Sequence, residues 1–420
     1  MIPKIHVSIA ALCLTLSLQS FCQTTIEQCI SLACENYPQI REYGLIEASR
    51  KYDLNNAALA WVPQLSLSGK ASWQSSVVEM PFDIEGFKFN IPHDQYGVTA
   101  DLNQQIWDGG ASAVKRELIN ATAEVKSRQL EVNMYSIRSR VQNIYLSIML
   151  IDEQLSLSDV LRSRLERNLA EVRSMVDNGV AYSSDLDQVK VGILSCEQQR
   201  SALSIDRKAY VRMLSLLTGT ELDGVQLEKP SVSAVPESEQ ILRPEMALYD
   251  AQTEQVRIQK KQLSTAISPR LNLGLQAGYG RPGLNMLSGK FDPYLLASLK
   301  LQWNFGSLYT LRNDRLKADA EASRIDLARN SFLLNTSVEV AQKQSEIAKA
   351  ADVLARDGEL IELRRRISET AERQYKEGVA KMNDYLILLD EEFNARLNYN
   401  LHQVQYTMAV YDLQNTLGKK

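Results

Sequence analysis

From Tyr96 to Asn103 the chain alternates strictly between apolar or small and polar side chains, and just past Gly109-Gly110 the period of 2 gives way to a helical period. The helical pattern then runs for roughly 65 residues, to about Val176, without proline or internal glycine. At about 1.5 Å per residue such a helix is on the order of 100 Å long. No compact domain needs such a rod, and periodicity so far beyond about 25 residues points to a coiled coil or a helical assembly. Ile137, Val141, Ile144, Ile148, Ile151 and Leu155 follow one another at 4-3-4-3-4 spacing, and Leu161, Leu165, Leu169, Val172 and Val176 extend the row. That spacing predicts a buried coiled-coil seam. Strand, joint and rod recur from Pro293 to about Glu377, so the chain is built twice.

Composition sets outer limits. A formal net charge of −4 and 23% charged residues argue against a partner with a phosphate backbone, so no nucleic acid is expected. The first 22 residues read as a secretory signal peptide: Lys4 supplies the positive start, Val7 to Leu18 the apolar run, and Ser20-Phe21-Cys22 a cleavage site before Gln23. A lipidated Cys22 is one alternative, disfavoured by Phe21 directly before it; an uncleaved anchor is another, disfavoured by the short apolar run. Cys29, Cys34 and Cys196 make an odd set with no metal-type spacing, so neither a disulfide framework nor a metal site is expected.

Taken in order, Thr25-Ile26-Glu27-Gln28 predicts a capping box opening a helix that continues to Ala60. Pro63 ends it, because residues before proline are pushed out of the α region. Leu65, Leu67, Gly69, Ala71 and Trp73 then alternate with polar residues, as do Tyr96, Val98, Ala100, Leu102 and Ile106 after a loop from Met80 to Pro92. The first rod stops at Asp177-Asn178-Gly179-Val180-Ala181, and Ser183 or Ser184 is the expected cap of the next helix, which ends at Thr218-Gly219. The second half repeats this order at an offset of roughly 200 residues. Helix 244–266 leads to alternation at Leu271, Leu273, Leu275, Ala277 and Tyr279, then at Leu295, Ala297, Leu299, Leu301, Trp303 and Phe305. Ser307 is the expected cap of the second rod, and Glu377-Gly378-Val379-Ala380 mirrors the first turn. The organisation is therefore a signal peptide at 1–22, a first repeat at 23–218 with hairpin 63–107, a linker at 219–243 and a second repeat at 244–420 with hairpin 269–305.

Strands of about 11 residues with one apolar and one polar face have the length of tilted membrane strands around a water-filled lumen, although a soluble sheet shows the same alternation. Four such strands cannot close a barrel, which needs about eight, and an open edge cannot sit in lipid. The strands must be pooled between chains; three chains would give about twelve. The rods carry Glu117, Glu124, Lys126 and Arg128, too polar for lipid, and must extend into water. The expected fold class is mixed α and β: a long α-helical coiled-coil barrel plus four membrane strands per chain.

The doubled plan, the joints at Gln105 to Gly110 and Gln302 to Ser307, and the paired Gly-Val-Ala turns resemble the TolC-type outer-membrane efflux family over essentially the whole mature chain. The resemblance implies a homotrimer with a 12-stranded barrel in outer-membrane lipid and a helical tunnel across the periplasm. It implies a passive conduit, serving an inner-membrane pump of RND or ABC type through a periplasmic adaptor protein. It implies that the turns holding Gly179, Val180, Ala181 and Gly378, Val379, Ala380 are the tips that meet the adaptor. The family's gate carries aspartates six and nine positions after the second tip glycine; Asp384 matches the first, and Ile387 stands at the second. Asp185 occupies the equivalent place in the first half. Both aspartates also fit the role of a helix-start carboxylate favoured by the dipole.

Other motifs are bland. Gly278 to Gly283 matches G-x-G-x-x-G, but Pro282 does not open a helix and no acidic partner follows, so a turn is expected. His93 and His402 are solitary, and no nucleophile or acid–base set is present, so no catalysis and no cofactor are expected. The rival reading is a structural coiled-coil protein of the envelope without a pore.

Overall fold

The computed structural model describes residues 24–77, 92–230, 240–287 and 289–419. The expected signal peptide, most of the first hairpin loop and the middle of the linker lie outside these residues. The elements are α1 (Ile26–Asn36), α2 (Glu42–Leu59), β1 (Gln64–Trp73), β2 (Asp94–Trp107), α3 (Ala111–Asp177) and α4 (Ser183–Thr218). They continue as α5 (Pro244–Thr265), β3 (Arg270–Arg281), β4 (Asp292–Gln302), α6 (Ser307–Lys376) and α7 (Met382–Leu417). The described residues form the long helices and the four antiparallel strands of the expected mixed α and β class.

The first helix departs from expectation. The capping box at Thr25 is present, with Gln28 N–H donating to Thr25 Oγ1 at 3.2 Å. The helix breaks after Asn36, and a 3-10 turn spans Pro38–Arg41 before α2 begins. Pro38 holds Tyr37 in an extended conformation, the same effect that ends α2 ahead of Pro63.

One compact unit comprises Pro38–Tyr135 and Ile241–Val338. Its described residues hold one antiparallel sheet in the order β1-β2-β3-β4. The register pairs apolar with apolar: Leu65 faces Leu102, Ala100 faces Ala277, Leu102 faces Leu275, and Leu273 faces Leu299. Since strand side chains alternate faces, one face is mostly apolar and the other mostly polar, with Gln104 and Leu296 as exceptions. A bulge between Gln105 and Trp107 changes the end of this pattern. The extra residue reverses the alternation, so Trp107, not Ile106, comes opposite Leu271 on the apolar face. Beside the sheet, α3 and α5 meet through Val114, Leu118, Ala121 and Ile258. Lys261 and Glu117 pair at 2.7 Å across the same contact.

The other unit comprises the chain up to Tyr37, Ser136–Gln240 and Glu339–Lys420. Here the seam of α3 is buried as its spacing predicts: Val141 and Ile148 are 0% exposed, and Ile137, Ile144 and Ile151 are buried beside them. Thr24 bridges Leu227 in parallel, and the Tyr145 hydroxyl sits 2.7 Å from Thr24 O and 2.6 Å from Glu228 O. Gly219, at φ 69°, ends α4 where Asn36 donates to the carbonyls of Leu216 and Leu217. A Cβ on Gly219 would come 2.6 Å from Asn36 Oδ1, so glycine is required twice over.

Candidate functional site

Three features carry the functional argument: the sheet, its joints to the rods, and the two helical turns. Among the described residues nothing packs on most of the apolar face of the sheet. Leu65, Leu67, Leu295, Leu299 and Leu301 are all exposed, Leu67 at 77%. The outer edges of β1 and β4 have no strand partner among the described residues. Exposed aromatics stand at both strand ends: Trp107, Trp303 and Phe305 at the joints, Trp73, Tyr96, Tyr279 and Phe291 at the hairpin end. The opposite face is hydrogen-bonded across strands. Ser68 and Thr99 hydroxyls lie 2.7 Å apart, Thr99 donates to Asp101 at 3.0 Å, and Gln276 donates to the other Asp101 oxygen at 2.7 Å.

Each joint is fixed by a short polar side chain. Asp108 accepts from the backbone N–H of Gly110 at 2.9 Å and of Ser112 at 2.5 Å, capping α3. Burial pushes its carboxyl pKa up, but the bonds from Ser112 and Gly110 outweigh it and hold the value below the usual range. Gly109 adopts φ 68°, and a Cβ there would lie 2.3 Å from Ser268 Cβ. At the second joint Asn304 accepts from Gly306 N–H at 3.0 Å, and the Trp303 indole donates to Ile267 O at 2.9 Å. Ser307 is the first residue of α6, so it is not the expected cap. Both joints thus rest on the Ile267–Pro269 turn.

The two turns are built alike. Gly179 and Gly378 have φ of 73° and 75°. Gly179 N–H donates to Val176 O at 3.0 Å and Val180 N–H to Met175 O at 2.8 Å; Gly378 and Val379 repeat this to Tyr375 O and Gln374 O, both at 2.9 Å. This is a Schellman closure, which requires a left-handed residue that glycine adopts freely. In that motif the residue after the glycine commonly packs back on the helix. Here Val180 and Val379 instead remain 75% and 76% exposed. Ala181 and Ala380 are half-buried behind them.

The aspartates differ. The expected serine cap of α4 is absent: Ser183 already lies in the helix, Tyr182 precedes it, and Asp185 reaches back to accept from Tyr182 N–H at 3.3 Å. Asp185 is half-buried in this capping role. Asp384 holds the matching third position of α7 but is exposed. Neither aspartate has an ion pair among the described residues, and Ile387 next to Asp384 is exposed.

Behind the turns lies a network that sequence reasoning did not find. Arg164 of α3 pairs with Glu392 of α7 at 2.9 Å and Glu372 of α6 at 3.2 Å, and donates to Ser368 Oγ at 3.2 Å. Arg396 also holds Glu392, at 3.0 Å, and Asn168 donates to the Tyr385 hydroxyl at 2.9 Å. Glu392 is 4% exposed. Burial pushes its carboxyl pKa up, yet Arg164 and then Arg396 bring it below the ordinary value. Around this network Leu165, Val172, Val189, Met382, Tyr385 and Leu389 form the apolar core. Partners up to 228 residues apart leave no local spacing to read.

Comparison with known proteins gives a consistent answer. Residues 29–220 match the family model described as outer membrane efflux protein. No curated protein matches the chain in sequence. Solved structures match in fold. The outer membrane protein VceC of Vibrio cholerae is 14% identical, with TM-score 0.65 over 94% of this chain and 96% of its own. The CmeC outer membrane channel of Campylobacter jejuni is 16% identical, with TM-score 0.64 over 94% and 85%. CusC, whose transmembrane channel formation has been described, is 14% identical, with TM-score 0.68 over 95% and 93%. The family match over residues 29–220 and the fold match along nearly the whole chain agree with the resemblance read from the sequence.

Proposed function

We propose that three copies assemble into a passive export conduit, a reading supported by the match of residues 29–220 to the outer membrane efflux protein model and by the fold shared with solved outer-membrane channels along nearly the whole chain. One observation carries this reading: a four-stranded sheet with an exposed leucine-rich face, a hydrogen-bonded polar face and two open edges. Such a sheet is stable in lipid only when its edges are closed, and closure by like sheets gives a barrel of about twelve strands with the polar face inward. Long helices with buried seams continue the lumen into the periplasm. The two repeats, 23–218 and 244–420, then supply equivalent halves of each subunit wall around the linker at 219–243.

The turns at Gly179-Val180-Ala181 and Gly378-Val379-Ala380 are the docking points for a periplasmic adaptor. Their exposed valines, in a motif that ordinarily hides that residue, support this role. The adaptor couples the conduit to an inner-membrane pump, which supplies the energy and selects small molecules or proteins as cargo. Asp384, three times repeated, narrows an acidic mouth, with Asp185 supporting the neighbouring helix start.

Planar-bilayer recordings of the purified mature chain test the reading, together with gels run with and without heating. Stepwise ion conductance from a heat-sensitive trimer is expected. A chain that forms only rod-like oligomers and never conducts would leave the poreless envelope protein as the answer.

A further inference from the structure

A small hollow sits on the polar face of the sheet near the hairpin end, with a cavity volume of about 250 Å³. Two neighbouring rows of the register build it. One runs Lys70, Gly97, Gly280, Asp292 and the next Ser68, Thr99, Gly278, Tyr294, each across all four strands. The floor is glycine backbone. Lys70 stands at one side, and Tyr294 and Met286 at the other.

The glycines are not equivalent. A Cβ on Gly280 would lie 2.7 Å from Tyr96 O, and one on Gly278 would lie 2.2 Å from Tyr294 Cζ. The clash at Gly280 is with backbone, so packing demands glycine there, and Gly278 is what lets the Tyr294 ring lie flat beside the hollow. Gly97 is different. Its Cβ would have only ordinary contacts, 3.9 Å from Gly280 Cα and Tyr279 O, and its φ is not positive. A strand interior is weakened by glycine, so nothing in the fold calls for one here. What the missing side chain does is keep the hollow open. Lys70 is exposed and has no acidic partner among the described residues; of the two carboxylates near the hollow on this face, Asp101 is held by Thr99 and Gln276, and Asp292 lies at the far end of the row, on β4, away from Lys70 on β1.

We propose that this hollow is a binding site for a small aromatic anion. The Lys70 ammonium takes the carboxylate or sulfonate, the ring lies on the Gly97 and Gly280 backbone, and Tyr294 and Met286 contact its edge. The volume falls just below the usual range of ligand pockets, about 300–1,000 Å³, which limits the guest to one or two fused rings. This rests on the conduit reading only in placing the polar face in the lumen, where passing cargo would meet the site.

Calorimetric titration of the detergent-purified mature protein with 2-naphthoate tests it, with 2-naphthol and acetate as controls for ring and charge alone. Saturable 2-naphthoate binding is expected, weakened about tenfold or more in Lys70→Gln, which removes a charge-assisted contact. Gly97→Val is expected to abolish binding by filling the hollow. Lys70→Gln is an exposed change that keeps the fold whatever Gly97→Val does. Absence of binding in the wild type, or the same affinity in Lys70→Gln, overturns the site. Bilayer conductance is scored separately: a conducting protein that binds nothing refutes the site alone, and a binding protein that never conducts refutes the conduit alone.

Discussion

The sheet and the core behind the turns use leucine in opposite ways. Leu65, Leu67 and Leu299 of the sheet face outward with nothing on them, whereas Leu165 and Leu389 behind the turns are closed in by Val172, Val189 and Met382. Polar groups are reversed as well: Ser68, Thr99, Asp101 and Gln276 share an open face, while Glu392 is buried among arginines. Hydrophobic burial takes apolar surface out of water. Under the proposed conduit, the region that leaves so much leucine exposed is completed by lipid, whereas the region that buries it is completed by its own packing.

The largest expected effect lies on the packed side of this contrast. Arg164→Ala leaves Glu392 buried with a weaker partner set, and removing one member of a buried pair costs about 3–5 kcal/mol. Denaturant melting followed by proteolysis near the turns would register it. The dependence on pH has a definite sign. The Glu392 carboxyl is depressed in the folded protein, so its contribution is full above the unfolded value of about 4.3 and fades as pH falls through the lower folded value. Loss of this contribution on raising the pH would contradict the assignment.

Next in size is Leu67→Arg on the sheet. In a lipid-embedded barrel an arginine at mid-depth costs about 2–4 kcal/mol. In a sheet that simply faced water the same exposed position would tolerate it. Folding into lipid vesicles, scored by heat-shifted mobility, separates the two outcomes, and an unchanged yield would count against the lipid-facing assignment.

The joint comes third. Asp108→Ala removes both bonds that start α3, a loss of about 0.5–2 kcal/mol. Because the Asp108 pKa is lowered on folding, the deficit is greatest at neutral pH and shrinks in acid as the wild type also loses its carboxylate. Parallel melts at both pH values check this.

Smallest in stability is the pair of aspartates. Asp185→Ala removes a helix-start bond and is expected to cost about 0.5 kcal/mol, whereas Asp384→Ala removes an exposed carboxylate and leaves the melt unchanged. Under the proposed mouth, Asp384→Ala instead lowers single-channel cation selectivity. Unaltered selectivity would return Asp384 to a plain helix-start residue.

Local chemistry explains what the sequence made legible. Alternation across Tyr96 to Asn103, the glycine joint and the seam from Ile137 to Leu155 are all periodic within a few residues, so strands and rods could be placed from them. The turns were legible because Gly179 and Gly378 supply a backbone conformation that other residues avoid. The break at Tyr37-Pro38 was missed because apolar spacing continues through it. The caps at Ser183 and Ser307 were misplaced by one position, since Asp185 and Asn304 satisfy the backbone there instead. The reversal at Trp107 comes from a bulge, which pairing across strands reveals and a single strand does not. Arg164, Glu372 and Glu392 meet only after three helices pack, so no spacing along the chain announces them.

The account depends above all on β1 of one chain lying beside β4 of the next. Within one sheet those strands are three spacings apart, about 14 Å. A double variant, Ser68→Cys with Ser298→Cys, treated with a cross-linker of about 8 Å, a reach shorter than that separation, therefore reads contacts between chains. Of the native thiols, Cys29 is buried with its pKa pushed up to about 11 by burial and Glu27, and Cys196 is buried with its pKa also raised by burial, so both are poor competitors at neutral pH; the half-buried Cys34 is replaced by serine in the test protein. Covalent dimers and trimers formed in membranes are the predicted result. A chain that stays monomeric on the gel, with both cysteines shown to be reactive, would contradict the shared barrel.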